Sequence, residues 1–272
     1  MQKSIHALIL CFSILTAQTA AGAQELTLMT WNIQVGYENG ILQNKWNLRK
    51  ALVLKQISSA KADIYCLQEV SADQRNYLLQ QLPTYSQFGK GRDDGKNKGE
   101  HCLLLFNKEF FEFIKGDTFW LSDTPDTSKN TWDFPFKRIC TWVSLHEKKS
   151  GKTLFIFNTH FPLNPLAQPK AAQLVQKRID KIIKKELNPL VMVCGDFNCD
   201  NKSEAWKIFE KAGYKPISTA KSITVMDKPF ACTDTIFIGA NIKPSKIQTN
   251  LLRSKTGTYA SDHFSIQAKL KY

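Results

Sequence analysis

Short apolar runs recur along this chain, separated by polar loops and by segments of helical period. LTLMTWNI (26–33) and DIYCLQEV (63–70) have the length and composition of buried strands. Between them, residues 46–60 place Leu48, Ala51, Leu52 and Leu54 at near-helical spacing with Lys and Arg in between, which predicts a helix. A short helix is expected over 72–81. YSQFGKG then leads into GRDDGKNKGE, where four glycines between 89 and 99 and mixed charges predict a mobile loop bordering the substrate site. HCLLLF (101–106), FEFIKGDTFWL (111–121), RICTWVSLH (138–146) and KTLFIFNTH (152–160) read as strands. KAAQLVQKRIDKIIKKEL (170–187) is the clearest helix, with Leu174, Val175, Ile179, Ile182, Ile183 and Leu187 on one stripe and a basic remainder. PLVMVCGDFN, a helix at 203–212, and strands DTIFIG (234–239), KIQTNLL (246–252) and DHFSIQAKL (262–270) complete an alternation of strands and helices. No linker or fixed-period repeat divides it, so one layered α/β domain with a continuous core is expected.

VMVCGDFNCD (191–200) breaks the apolar pattern. A buried strand ends in a carboxylate and an amide, and burying a neutral polar group without partners costs roughly 2–7 kcal/mol. The same feature repeats. Asn32, Glu69, His160, Asp196 and Asn198 each lie at or just past the carboxyl end of an apolar strand, and Asp262 and His263 lie at the start of another. Strand ends are rigid supports for functional groups. With Asn158 and Asp234 these residues form a set rich in hard oxygen donors, suited to Mg²⁺, Mn²⁺ or Ca²⁺. A carboxylate and a histidine beside such an ion can act on a water nucleophile, and amides or a protonated histidine can stabilise phosphoryl charge. That chemistry points to hydrolysis of a phosphate ester. Each motif alone also has a bland explanation, in turns and strand caps.

Composition adds three points. The N-terminal MQKSIHALILCFSILTAQTAAGAQ has a basic start, an apolar run too short to span a bilayer, and small residues before Gln24. This is the layout of a signal peptide cleaved after Ala23, which makes an exported, periplasmic or extracellular protein the expectation. No later segment is apolar enough to cross a membrane. The formal charge of +13 suits polyanionic partners such as nucleic acid, lipid headgroups or phosphorylated sugars, and equally suits solubility alone. The cysteines outside the leader, Cys66, Cys102, Cys140, Cys194, Cys199 and Cys232, form no CxxC pair, which argues against structural zinc. Export would permit disulfides, but several of these cysteines sit inside apolar runs and read as small buried hydrophobes.

TWNIQ (30–34), LQEV (67–70), FNTHF (157–161), GDFN (195–198), TDTIFI (233–238) and SDHFSI (261–266) follow one another in the order that resembles the endonuclease/exonuclease/phosphatase superfamily. GRDDGKNKGE, FWLSDTP (119–125) and RICTW (138–142) further resemble a secreted bacterial branch of it. The resemblance implies a deoxyribonuclease-like fold: a two-layered β-sandwich flanked by helices, in four layers α/β/β/α. It also implies an Mg²⁺-dependent phosphodiesterase or phosphatase, expected to be a monomer. Glu69 resembles the principal metal ligand, with Asn32 beside it and Asp262 as a further metal-site or water-positioning carboxylate. Asp196 resembles the group that orients or deprotonates the attacking water. Asn198 and His160 resemble contacts to the scissile phosphate, with Asn158 on the substrate side. His263 resembles the catalytic histidine, its ring held by Asp234. Asp196 and His263 both remain open as the base. The chain departs from its branch at Pro162-Leu163, where an Asp-His pair is usual, at Ala167-Gln168 in place of Ala-Arg, at Thr233-Asp234-Thr235 in place of Ile-Asp-Tyr, and at Ser265 in place of proline. These changes touch substrate-facing loops. A nuclease is favoured by the charge. A phospholipid, inositol-phosphate or sugar-phosphate hydrolase is the alternative, and a binding module that has lost catalysis is a third reading.

Overall fold

Two six-stranded sheets stack face to face, because most strands carry apolar side chains on both faces. The computed structural model describes residues 24–36, 45–132, 135–217 and 233–272. The expected signal peptide and Cys232 lie outside the described residues. The first sheet contains β1 (Glu25–Asn32), β2 (Ile64–Val70), β3 (Tyr85–Phe88), β4 (His101–Asn107), β11 (Lys243–Asn250) and β12 (Ser265–Lys271), in the order β11-β12-β1-β2-β4-β3. The second contains β5 (Phe111–Trp120), β6 (Ile139–Glu147), β7 (Thr153–His160), β8 (Leu190–Asp196), β9 (Lys215–Ile217) and β10 (Asp234–Ile238), in the order β5-β6-β7-β8-β10-β9.

Each sheet has one parallel pair, β1–β2 in the first and β7–β8 in the second. Parallel neighbours need a crossover, and helices α1 (Trp46–Ala60) and α3 (Gln168–Ile183) supply it. Helices α2 (Ala72–Gln81) and α4 (Glu204–Lys211) follow β2 and β8. The carboxyl ends of four strands, two from each sheet, therefore meet at one end of the sandwich. Alternation along the strands makes the layers. Leu28, Cys66 and Leu104 face Val143, Ile156, Met192 and Ile236 between the sheets. Met29, Trp31 and Tyr65 face outward onto Val53 and Ile57 of α1 and Leu78 of α2. Phe157, Val193 and Phe237 face outward onto Val175 and Ile179 of α3 and Phe209 of α4. This is the expected four-layer α/β/β/α sandwich.

Several local expectations change. The last strand begins at Ser265, so Asp262 and His263 sit in the loop before it. Helix α3 ends at Ile183, and Leu187 is 91% exposed beyond it, because Ala171 and Ala172 complete the buried stripe instead. The glycine-rich loop is tightly built, contrary to the expectation of a loose segment. Arg92 N donates to Glu100 O and Asp93 N to Lys98 O, while Asp94 Oδ1 accepts from the Lys96 and Lys98 amides. A Cβ at Gly91 would lie 2.3 Å from Lys98 O, so the turn requires glycine there. Cys66, Cys102, Cys140, Cys194 and Cys199 are buried free thiols, in keeping with their apolar settings.

Gly195 shows the tightest fit at the functional end. A Cβ there would lie 2.1 Å from Thr159 O on β7. Gly195→Ala is expected to destabilise the protein by about 1–3 kcal/mol through forced separation of β7 and β8. Denaturant unfolding checks this, and an unchanged midpoint would show that the two strands can part without cost.

Candidate active site

Glu69 owes its position to a bulge. The β2–β4 register runs to Leu67↔Leu103 and resumes at Val70↔His101, so β2 carries one extra residue. Glu69 has φ +58°, a left-handed backbone that turns its side chain out of the ladder and towards the strand ends. Its Oε2 accepts from Val35 N at 2.9 Å and its Oε1 from Asn32 Nδ2 at 2.9 Å. Asn32 ends β1, and the same amide donates to Asp196 Oδ2 at 3.2 Å across the sandwich. One asparagine thus joins a carboxylate from each sheet.

Asp196 ends β8, and strand register surrounds it with its partners. It lies opposite His160 in the parallel β7 pairing and opposite Asp234 in the antiparallel β10 pairing. Phe197 points the other way and anchors the segment against Phe161, Trp206, Phe209 and Phe237. Asn198 turns the chain with φ +49°, its N–H donating to Asp196 Oδ1 at 2.9 Å and its Nδ2 to Phe161 O at 2.9 Å. His263 arrives from the β12 side. Trp31 Nε1 donates to its carbonyl at 2.9 Å, and its own N–H donates to Ser261 Oγ at 3.1 Å. Its Nδ1 lies 2.8 Å from Asp234 Oδ2 and its Nε2 3.8 Å from Asp196 Oδ2. His160 Nε2 lies 3.5 Å from the same Asp196 oxygen.

The charges divide sharply. Burial opposes charge on His263, but the Asp234 carboxylate, with Asp196 and Asp262, overrides it and holds the imidazolium well above its usual range. Burial likewise opposes charge on Asp196, but the charged His263 and the bonds from Asn198 and Asn32 keep it below the usual carboxylate range. Burial raises Asp234 to about 6 against the pull of His263. His160 is pushed well below its usual range by burial and by the neighbouring Arg138. At neutral pH one histidine is cationic and the other neutral.

Asn32, Glu69, His160, Asp196, Asn198, Asp234 and His263 therefore converge. Two expected residues stand apart. Asp262 lies at the rim, with Oδ2 accepting from Gln34 Nε2 at 3.1 Å and Oδ1 from Ser261 Oγ at 3.3 Å. Asn158 lies behind the cleft. Its Nδ2 donates to Leu67 O and Leu103 O, and its Oδ1 accepts from Gln68 Nε2 at 2.7 Å, so a substrate contact does not fit its geometry. Sequence reasoning missed Glu100, Arg92, Arg138 and Arg49. Glu100 could have been flagged as a carboxylate one residue before the largely apolar strand HCLLLF. Arg49 is buried in α1 and donates to Ile33 O, Gln34 O and Ala260 O, fastening the segment that follows Asn32 to the loop that carries Asp262.

Among the described residues, two groups have donor atoms within 4.8 Å of one another: Glu69, Glu100 and His160, and Asp196, Asp234 and His263. The second holds its own cation in His263. The first fits a divalent ion better. Glu100 is raised to about 7 by burial and by the like charge of Glu69, even with Arg92 beside it. Two carboxyl groups crowded enough to raise one of them are stabilised in their ionised form by a hard cation beside them.

A four-layer sandwich with carboxylates, amides and a carboxylate-held histidine at its strand ends defines a phosphoester-hydrolase class of site. A model of the Endonuclease/Exonuclease/phosphatase family matches residues 29–263, and the chain belongs to that family. Its enzymes hydrolyse phosphoester bonds and are generally dependent on divalent metals. A mannosyl-6-phosphatase from Bacteroides thetaiotaomicron is similar in structure, with 25% identity, a TM-score of 0.81, and coverage of 91% of this chain and 100% of that one. A family member from Bacteroides vulgatus is similar at 27% identity and TM-score 0.82, covering 91% of this chain and 98% of that one. Mouse nocturnin is 26% identical over 234 residues, 78% of this chain and 52% of its own length. A protein of Acanthamoeba polyphaga mimivirus is 29% identical over 167 residues, covering 58% of this chain. This chain spans about three-fifths of that viral protein, 61%, and about half of mouse nocturnin.

If Asp234 holds the His263 proton, Asp234→Asn should drop the His263 titration back towards the ordinary imidazole range, near about 6.5. NMR titration of the ring protons reads this directly. An unmoved titration would mean that Asp234 does not hold the ring.

Proposed function

We propose that this protein hydrolyses phosphate esters with water, using Mg²⁺ or a similar divalent ion. The observation that carries the reading is the His263–Asp234 bond of 2.8 Å, with the other ring nitrogen turned to Asp196. Glu69, supported by Asn32 and joined by Glu100, would hold the ion, with Asp262 at the rim. When bound, the ion supplies positive charge against a phosphoryl oxygen. Asp196, kept ionised, accepts a hydrogen bond from the attacking water and is the base in this reading, because a protonated His263 has no lone pair to offer at neutral pH. His263 donates from Nε2 to the phosphoryl group, and Asp234 fixes the ring and balances its charge. Asn198, beside Asp196, presents its partly exposed amide to the phosphate. His160, neutral, borders the same space.

In this reading residues 1–23 are a cleaved leader and the working enzyme is an exported monomer. A nuclease is the second reading. It is favoured by the formal charge of +13 and by 27% identity to the Candida albicans protein described as a CCR4-Not complex 3'-5'-exoribonuclease subunit, of whose length this chain spans 26%. A binding module of this fold would hydrolyse nothing, so chelator-sensitive turnover of a generic phosphodiester or monoester separates enzyme from binder.

Glu69→Gln removes the charge that attracts the cation and should lower activity by about 100-fold or more. High Mg²⁺ or Mn²⁺ should restore part of it, with the melting temperature near wild type. Wild-type turnover by this variant at low metal would remove Glu69 from the metal site. His263→Ala and Asp234→Ala should cost similar amounts, and the double variant little more than His263→Ala, because the pair acts as a unit. Additive losses in single-turnover kinetics would show that the two act separately.

A further inference from the structure

Helix α3 lies in the outer layer over the second sheet. Its inner side, Ala171, Ala172, Val175 and Ile179, packs into the core. On its outer side the exposed positions Lys170, Gln173, Lys177, Lys181 and Lys184 recur at intervals of three and four residues, which makes one stripe along the helix. Residues 168–187 carry six cationic side chains, Arg178 and Lys185 among them, against the two acidic ones Asp180 and Glu186. Asp126 takes Arg178 at 2.6 Å. Among the described residues the stripe's lysines have no salt-bridge partner, whereas on α4 both Lys207 and Lys211 pair with Glu204. A groove of about 680 Å³ follows the stripe, lined by Pro125 and Leu174 as well as Lys177, Lys181 and Lys184. The two most exposed large apolar side chains among the described residues bracket this face. Leu166, just ahead of the helix, is 81% exposed, and Leu187, just beyond it, is 91% exposed.

We propose that the outer face of α3 docks this protein on an anionic phospholipid bilayer, with the lysines against headgroup phosphates and Leu166 and Leu187 entering the interface. A face that only keeps a protein soluble has no use for leucines at both ends of a lysine row. A partner that rewards both must carry negative charge at its surface and apolar material just beneath, as a bilayer does. Single-stranded nucleic acid carries the charge but is held by aromatic rings that stack on its bases. No aromatic residue lies between Phe161 and Phe197. Attachment is at the surface, because no helix of the described residues is long and apolar enough to cross a membrane. The stripe starts at the active-site end of the molecule, where Gln168 Nε2 donates to Asn198 O at 2.9 Å. A bilayer lying along α3 therefore has Asn198 beside the head of the contact.

The test uses the chain from Gln24 onward, which contains every element of the fold and leaves out the apolar leader, whose own membrane affinity would mask the effect. Co-sedimentation is measured with vesicles of phosphatidylcholine containing about 30% phosphatidylglycerol, a strongly anionic surface, and with vesicles of phosphatidylcholine alone. The wild type should bind the anionic vesicles and not the neutral ones, and binding should weaken as salt rises past about 0.15 M, where the Debye length is about 8 Å. A variant carrying Lys177→Gln, Lys181→Gln and Lys184→Gln should bind about 100-fold more weakly, each lysine being worth about fivefold at such a surface. Leu166→Ser and Leu187→Ser should each lose about tenfold. Lys207→Gln with Lys211→Gln, on α4, is the control and should bind as wild type does. Equal binding to neutral vesicles, no binding to anionic ones, or unchanged binding by the triple variant would overturn the proposal. So would leucine variants that bind as wild type does, which would make the stripe a general polyanion surface. Binding of single-stranded DNA that the triple variant loses, without vesicle binding, would make it a nucleic-acid track instead. None of these readouts involves turnover, so the hydrolase reading stands or falls separately.

Discussion

Asn158, buried between the sheets, holds the two halves of the cleft in register. The bulge that re-aims Glu69 interrupts the β2–β4 ladder, and Asn158 reaches across from β7 to accept the task of bonding Leu67 O and Leu103 O at 3.0 and 2.9 Å. Gln68, inside the bulge, closes the link onto Asn158 Oδ1 and also reaches Thr30 Oγ1 on β1. A buried polar network of this kind tolerates little sliding, because any shift leaves amides and carbonyls unpaired in an apolar core. Sliding one sheet by a residue would also separate Glu69 from Asp196, which Asn32 now bridges. The local distortion that makes Glu69 available therefore creates the bonding demand that fixes its distance from the opposite sheet.

With that distance set, environment assigns different states to similar groups. Asp196 and Asp234 are neighbours in register and both buried, yet Asp196 is held low and Asp234 is raised to about 6. The difference lies in company. Asp196 collects the charged His263, an amide N–H and the Asn32 side chain, whereas Asp234 has His263 as its main counter-charge and Asp196 as a repelling neighbour. The two histidines divide likewise. His160 faces Arg138 and is neutral, while His263 faces carboxylates and is charged. Splitting like groups in this way lets one site hold a base and a proton donor at the same pH.

The strand-end residues were legible in the sequence because their signal is local. An apolar run ending in Asn, Glu, His or Asp states both a strand and its exit, and the parallel pairs bring four such exits together. Depth along a strand was less legible. Asn158 and His160 share one side of β7, but two residues amount to roughly 6–7 Å. His160 therefore reaches the cleft while Asn158 stays inside the sandwich. Arg92 and Glu100 lay in a charged, glycine-rich run that resembles solvated loop. Their burial comes from docking of that loop against Trp120 and Phe136, a tertiary event with no periodicity to announce it. Arg49 was hidden differently, as one basic residue among several on a helix, although its guanidinium turns inward to three carbonyls.

The departures after FNTHF gain a physical meaning from the same geometry. Gln168 stands where an arginine is usual, and its Nε2 donates to Pro162 O at 3.0 Å and Asn198 O at 2.9 Å. The position is spent on holding the Asn198 turn and contributes no charge. The loop it closes exposes Leu163 at 57% and Leu166 at 81%. The segment before Gln168 is therefore neutral and partly apolar, while the hollow beside His160 carries Arg92, Lys137 and Arg138 together with Glu69 and Glu100. A phosphate ester is itself asymmetric, anionic at the phosphoryl end and often uncharged at the leaving group. A difference in charge between the two ends of the cleft would favour one orientation of such a molecule. In the proposed hydrolase that orientation would turn the phosphoryl group to the His160 side and the ester oxygen towards the 162–166 loop. The loop that departs most from its relatives is then the one that would contact the part of the substrate that varies between them.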